Sequence, residues 1–582
     1  MPSLAPLKEP RWRAARTPLR LAAAALALAC GGLLGGCGSS NPGGTSADPA
    51  NAVPASAVLY AGATVRPTGT LKAQALAVGG ALTHQADPYL RLLGALQTPG
   101  SATLDFTRDV APWLGPHAGV FLTSLRSSGA LPTLLEHGLL GSASGGAFPF
   151  GPGGAEGALV LDTSNAAKAR SFLHTQAAHA GAHPTSYRGV SYEATASGVS
   201  FGLVDRFAVI GSETGMHGVI EATHGGSSSS GDDALAHAAG YAKLAAAAPA
   251  GALAHLYTKP AGSTPVAGGE ALSGILQALS AGREANVSLV PALGSAALDA
   301  DTLASTAASQ AGGLLSADPE DAQAFDELPG ESWLAIGLGH VGATLSHDVQ
   351  DIQGLVSLGA GSGPTAPAAG LSVGSLLQGL LAPLQVLGAN SPQAKRAFTS
   401  WMGSAGVYAS GASLLELHAA VVITSKDPAL SHAAVAALAD QLRRSGASVS
   451  PASIPGTDAA VGVRSSALPL VLDIANGRAS DGQTKFVLGL GEASVTSALH
   501  PTSTLAGAGS RSAAAASLGE GIQPSLMVSF PTLLSLLEGV GLLEQPPISQ
   551  FVPYLRAATT LAGGGHQLGG EVQRFRLAVG LR

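Results

Sequence analysis

The sequence predicts an α+β fold: two tandem copies of one unit, each with a largely antiparallel sheet and helices packed mainly on one face. Three observations predict it. Short segments recur in the same order in the two halves of the chain. Apolar runs of strand length, parted by turn residues, form meanders. Longer stretches with apolar residues at helical spacing alternate with these meanders, the mixture expected of α+β units.

The recurrence rests on four matches. Residues 57–61 (Ala-Val-Leu-Tyr-Ala) pair with 332–336 (Ser-Trp-Leu-Ala-Ile). The run from Trp113 to Phe121 pairs with that from Trp401 to Tyr408. Residues 159–164 (Leu-Val-Leu-Asp-Thr-Ser) pair with 420–425 (Ala-Val-Val-Ile-Thr-Ser), and 207–211 with 486–489. Each half then shows a β-rich start (58–65; 333–338), a tryptophan segment and a second strand (158–162; 419–423). The clearest helix follows. Asp427 is a good N-cap and Pro428 suits the first turn. Leu430, Ala434, Leu438 and Leu442 repeat at helical spacing, and Gly446 suits the position just past the end. Residues 165–181 are its counterpart. Meanders over 187–210 and 459–490 come next, then a helix and strand, then a very apolar helix (272–279; 533–542). The expected layout is a signal over 1–36, a flexible tether over 37–53, and units over 54–325 and 326–582. The acidic run 318–321 with Asp326 and Glu327 marks the junction and is expected to be a solvated linker helix.

The N-terminus gives an address. Lys8, Arg11, Arg13, Arg16 and Arg20 precede an Ala/Leu run over 21–29, the plan of a secretory signal. Leu34-Gly35-Gly36-Cys37 then matches the bacterial lipobox, with cleavage between Gly36 and Cys37 and lipid attached to the Cys37 thiol. The apolar run over 21–34 is shorter than the roughly 20 residues a comfortable span requires. The expectation is a protein lipid-anchored at the extracytoplasmic face of the bacterial cell membrane. Two acyl chains would hold it there, since one chain binds only marginally.

Composition narrows the chemistry. Cys30 leaves with the signal and Cys37 carries lipid, so neither remains for thiol catalysis, thiolate metal sites or a disulfide scaffold. The formal charge is −7, and removal of the basic signal leaves −11. A net acidic body gives no general attraction to nucleic acid, and none is expected as a partner.

The segment 104–115 (Leu-Asp-Phe-Thr-Arg-Asp-Val-Ala-Pro-Trp-Leu-Gly), with Ala118-Gly-Val120, resembles a motif of an uncharacterised family of actinobacterial envelope lipoproteins, catalogued as a domain of unknown function. Val53-Pro-Ala-Ser56 is similar to the turn that opens its first strand. The resemblance implies a lipoprotein address and a non-standard repeated fold. It carries no catalytic residue.

Motifs of known chemistry were weighed in turn. Gly198-Val-Ser-Phe-Gly202 matches the nucleophile-elbow pattern, but that elbow needs strand, sharp turn and helix, and Ser200 lies among strands. Gly337-Leu-Gly-His-Val-Gly342 matches a dinucleotide fingerprint, yet no acid stands about 20 residues on. His174, His179 and His183 cluster near a helix end without a carboxylate in sequence to complete a metal site. Asp232 and Asp233 suit a helix start, and Asp299 and Asp301 show no partner. Trp113 and Trp401 suit core anchors. The apolar stretches 371–387 and 533–543 suit buried or cleft-lining helices. No catalytic, cofactor or metal residue is expected. The functional expectation is a non-catalytic binding or structural module for an envelope partner, with a carrier or sensor of an apolar ligand such as a lipid as the alternative.

Overall fold

The computed structural model of the protein describes residues 47–83, 93, 96, 103–124, 156–224, 234–259, 284–303, 318–342, 399–444, 446–465, 468–539, 541–545, 548–549, 551–569 and 571–582. The signal with Gly36, Cys37, most of the expected tether, Asp232 and Asp233, and the stretches 272–279 and 371–387 lie outside the described residues.

Twenty strands are described. The first ten are β1 (Leu59–Thr64), β2 (Leu114–Leu122), β3 (Gly157–Thr163), β4 (His183–Tyr187), β5 (Val190–Ala194), β6 (Val199–Val204), β7 (Phe207–Ser212), β8 (Ala254–Thr258), β9 (Ala285–Ala292) and β10 (Ser295–Leu303). The rest are β11 (Leu334–Leu338), β12 (Met402–Ser410), β13 (His418–Ser425), β14 (Ser448–Pro451), β15 (Thr457–Ser465), β16 (Leu468–Arg478), β17 (Thr484–Leu490), β18 (Leu526–Ser529), β19 (Ala558–Gln567) and β20 (Val572–Leu581). From one edge the order is β4-β5-β6-β7-β3-β2-β1-β8-β9-β10. It continues β20-β19-β18-β11-β12-β13-β17-β16-β15-β14, and every described pairing is antiparallel.

The expected pair of tandem units, each with its own sheet, is therefore corrected to one sheet. The joint is the pairing of β10 with β20, from Ser295↔Gly580 to Leu303↔Val572. Unpaired, each would present a long edge of bare amides and carbonyls. The joint also pairs charges: Asp299 lies opposite Arg576 and Asp301 opposite Arg574. The remaining edges, β4 and β14, are short, and Pro184 and Pro451 interrupt their hydrogen-bonding potential.

The helices are α1 (Gly69–Thr83), α2 (Ala166–His179), α3 (Glu213–His224), α4 (Ala239–Ala247), α5 (Pro319–Asp326), α6 (Pro428–Arg444), α7 (Glu492–Leu499), α8 (Gly509–Leu518), α9 (Phe530–Gly539) and α10 (Val552–Ala557). They do not keep mainly to one face. On one face, Ala169, Phe172, Leu173 and Ala177 of α2 meet Val120, Leu159, Leu161 and Ile210. On the other, Met216, Val219 and Ile220 of α3 with Tyr241 and Leu244 of α4 meet Tyr60, Phe121, Val160 and Val209. The cause is visible in β3, buried along its whole length because both alternating sets, Leu159/Leu161 and Ala158/Val160, are apolar. A strand of that pattern needs cover on both faces. Each large side chain so buried contributes about 1.5–3 kcal/mol.

Two further expectations change. The junction helix α5 is packed, not solvated: Phe325 is fully buried and Asp321 nearly so. Arg511 grips Asp326 and Lys485 grips Glu327. Ordered packing also begins inside the expected tether. Asp48 caps a short 3-10 turn, and Ala50, Ala52 and Val53 are fully buried. The expected N-cap of α6 is present, Asp427 accepting from the amides of Ala429 and Leu430. Leu430, however, faces solvent. No helix among the described residues is long and apolar enough to cross a membrane.

Candidate functional site: a cleft beside the Trp113 segment

The segment that carries the family-like motif forms one wall of an open cleft of about 370 Å³, and α2 forms the other. Phe106–Val110 makes a single wide turn in which the Ala111 amide donates to the Phe106 carbonyl. Such π-type turns are rare and frequent at functional sites. Two aspartates set it. Asp105 accepts from the Arg108 amide at 2.8 Å, and Asp109 accepts from the Asp105 amide at 2.8 Å. Phe106 and Val110 anchor the turn in the core. The Trp113 indole N–H donates to the Asp109 carbonyl, and the Arg66 guanidinium donates to the carbonyls of Ala111 and Leu114.

The facing wall follows from the sequence of α2. Asn165 caps its start by accepting from the Lys168 amide, and Gly181, at φ 69°, closes its end. Ala169, Phe172, Leu173, Gln176 and Ala177 form the buried stripe. Lys168, Ser171, Thr175 and His179 are thereby left along the rim. The floor is apolar: Leu104, Pro112 and the rings of Trp113 and Phe172, whose centroids lie 5.0 Å apart at 36°. Trp113 is thus the core anchor expected of it, and its segment also shapes the cleft.

The electrostatics are asymmetric. Arg108 forks onto Asp109 at 2.7 and 2.9 Å, and that hydrogen bond holds the Asp109 carboxyl below its ordinary range. No described carboxylate pairs with Lys168. Two groups of the rim are engaged by their own helix. The Thr175 hydroxyl donates to the Ser171 carbonyl, and His179 Nδ1 lies 2.7 Å from the Thr175 carbonyl.

The other motifs resolve into packing. Ser200 is fully buried on β6, paired with Gly211 of β7, so no elbow forms. In the glycine-rich loop the Gly339 amide donates to the Asp321 carboxylate, and His340 sits 2.7 Å from Asp318. Carboxylates of α5 and its N-cap therefore already engage this loop. His174 has a carboxylate after all, Glu193 at 2.6 Å, while His179 turns to its own helix and His183 lies on the exposed strand β4. Among the described residues no three His, Cys, Asp or Glu side chains converge as a metal site.

Two buried polar clusters went unforeseen. Asp299 and Asp301, expected to lack partners, are fully buried and held bidentately by Arg576 and Arg574. The Ala247 carbonyl accepts a further N–H from Arg574, and the Leu518 carbonyl one from Arg576. Burial pushes the Asp301 carboxyl up, against the pull of Arg574. The signal was two acids and two arginines, each pair two residues apart at strand spacing. The second cluster joins Tyr60 to Asp48, Tyr241 to His255 and Tyr257 to Glu284. Burial raises all three phenols and lowers His255. The Asp299/Asp301 carboxylates are enclosed by packing, whereas the second cluster reaches solvent at Asp48.

No curated protein and no solved structure matches this chain. The family described as "Protein of unknown function (DUF3352)" matches residues 21–518, which include both walls of the cleft. The chain belongs to that family.

Proposed function

We propose that this protein is a non-catalytic binding module, tethered to the extracytoplasmic face of a bacterial membrane through lipid on Cys37, and that the cleft between Thr103–Trp113 and α2 takes its ligand. One observation carries the binding half: an open cleft with an apolar floor and a polar rim, built on a rare π-type turn. The engaged Thr175 and His179 support a non-catalytic role. The tether half rests on the lipobox order at residues 34–37. The apolar floor also favours a narrower version, a carrier or sensor of a lipid-like ligand.

The tether is tested by labelling a bacterial host with an alkyne fatty acid. The full chain should take up label and sediment with membranes, and Cys37→Ala should do neither. Membrane retention of an unlabelled Cys37→Ala chain would break the tether reading. The cleft is tested by Ser171→Trp, which fills an exposed rim position. It should abolish ligand binding while leaving the thermal midpoint within a few degrees.

A further inference from the structure

We infer that the cleft binds an anion carried on an apolar body: a carboxylate or phosphate monoester at the end of an aliphatic or aromatic group. The inference rests on the reading of the cleft as the ligand site and adds the chemistry of what enters it.

The volume, about 370 Å³, lies in the range of small-molecule sites. Its floor offers the Leu104 and Pro112 side chains and the edge of Phe172, backed by the buried Trp113, which reward an apolar body and give nothing to a bare inorganic ion. Its rim selects the sign of the head group. The Asp109 carboxylate is already neutralised for a ligand cation, since its two oxygens accept Nε and Nη2 of Arg108 and the Asp105 amide. Arg108 and Asp109 thus cancel. Lys168 remains, on the rim, with no described carboxylate pairing it.

The charge around the cleft reinforces this choice. The chain as a whole is acidic, at −7, yet α2 has no Asp or Glu and carries Lys168, Arg170, His174 and His179. The acid facing it from the neighbouring strand, Glu193, is taken by His174 at 2.6 Å. A local reversal of sign in an acidic body is a physical signature of anion recognition. Lysine supplies it as a point charge suited to phosphate or carboxylate. Ser171 and His179 stand on the same rim as further hydrogen-bonding groups.

The test uses the full chain in phosphatidylcholine nanodiscs, titrated calorimetrically with phenyl phosphate, inorganic phosphate, benzyl alcohol and phenyltrimethylammonium. Phenyl phosphate should bind at least about tenfold more tightly than the other three, the scale of one charge-assisted contact or one buried ring. Lys168→Ala should weaken it by about tenfold, Lys168→Arg should restore most of the loss, and Ser171→Trp should abolish it. Lys168 is exposed, so folding is not at stake.

Benzyl alcohol or the ammonium probe binding equally well, in a manner lost on Ser171→Trp, would overturn the anionic preference and leave the ligand-site reading standing. Inorganic phosphate binding as tightly as phenyl phosphate would overturn the apolar body. Binding of no probe that depends on position 171 would overturn both readings. Adding phosphatidic acid to the nanodisc distinguishes the source: competition assigns the anion to a lipid head group, and its absence assigns it to a free organic acid.

Discussion

Two tryptophans at corresponding points of the sheet are buried alike and finished differently. Trp113, just before β2, is 1% exposed, and so is Trp401, just before β12. Trp113 leans on Phe172, seven residues past the cap of α2, and Ala208 of β7 belongs to the same core. Trp401 leans on Phe486 of β17, and Ala434, seven residues past the cap of α6, belongs to the same core. The large and small residues have changed places between helix and strand. A phenylalanine on the strand lies fully inside the core. A phenylalanine on the surface helix forms the wall of a cleft. The lesson is that a buried tryptophan–phenylalanine pair can be kept while its placement decides whether the phenylalanine stands inside the core or on a cleft wall.

The comparison breaks most severely at the joint between the flanks. Arg574→Met should cost about 3–5 kcal/mol, because it leaves Asp301 buried without its cation. Urea unfolding should then separate into two transitions, one for each flank. A single unshifted transition would show that the β10–β20 pairing does not unify the sheet.

Next in size are the tryptophans. Trp113→Ala and Trp401→Ala should each cost about 3–5 kcal/mol by urea unfolding. Only the first should also abolish phenyl phosphate binding. Phe172→Ala should cost nearly as much, and adding Ala208→Phe should return part of it by restoring the volume on the strand side. Recovery of stability without recovery of binding would sharpen the account, since the floor would be rebuilt without its wall.

A smaller effect distinguishes two buried carboxylates. Asp162 on β3 is paired with Arg206, whereas Asp473 on β16 has no described cation and faces Glu492. Burial, with Glu492 nearby, pushes the Asp473 carboxyl up to about 6. The folded state then holds this proton more tightly than the unfolded chain. Its stabilisation is fully present below about pH 4 and is lost as pH rises through about 6. Asp473→Asn should therefore raise stability at pH 7 by about 1–3 kcal/mol and flatten the decline between pH 4 and 6 in urea titrations. No gain at pH 7 would mean the carboxylate is better solvated than its burial implies.

Much of the local structure was legible. Asp427 and Asn165 marked helix starts because N-capping is a short-range, side-chain-to-amide effect, and Gly446 marked an end because glycine accepts the positive φ found there. Strand positions followed from short apolar runs. The joint was not legible, because β10 and β20 lie some 270 residues apart and no local period encodes their pairing. The two-sided cover was written in residues 158–161, Ala-Leu-Val-Leu, whose unbroken apolar run calls for helices on both faces. The cleft was half legible. Trp113 stood out, but its meeting with Lys168 and Ser171 depends on how α2 crosses the sheet.

The smallest stability effect should be that of Lys168→Ala, within about 0.5 kcal/mol, as for an exposed side chain with no ion-pair partner among the described residues. The most direct test of the difference between the flanks is hydrogen–deuterium exchange of the full chain with and without phenyl phosphate. The account predicts slowed exchange over residues 103–113 and 166–179, and none over 401–410 and 428–444. Equal protection of both flanks, or protection confined to the second, would contradict it.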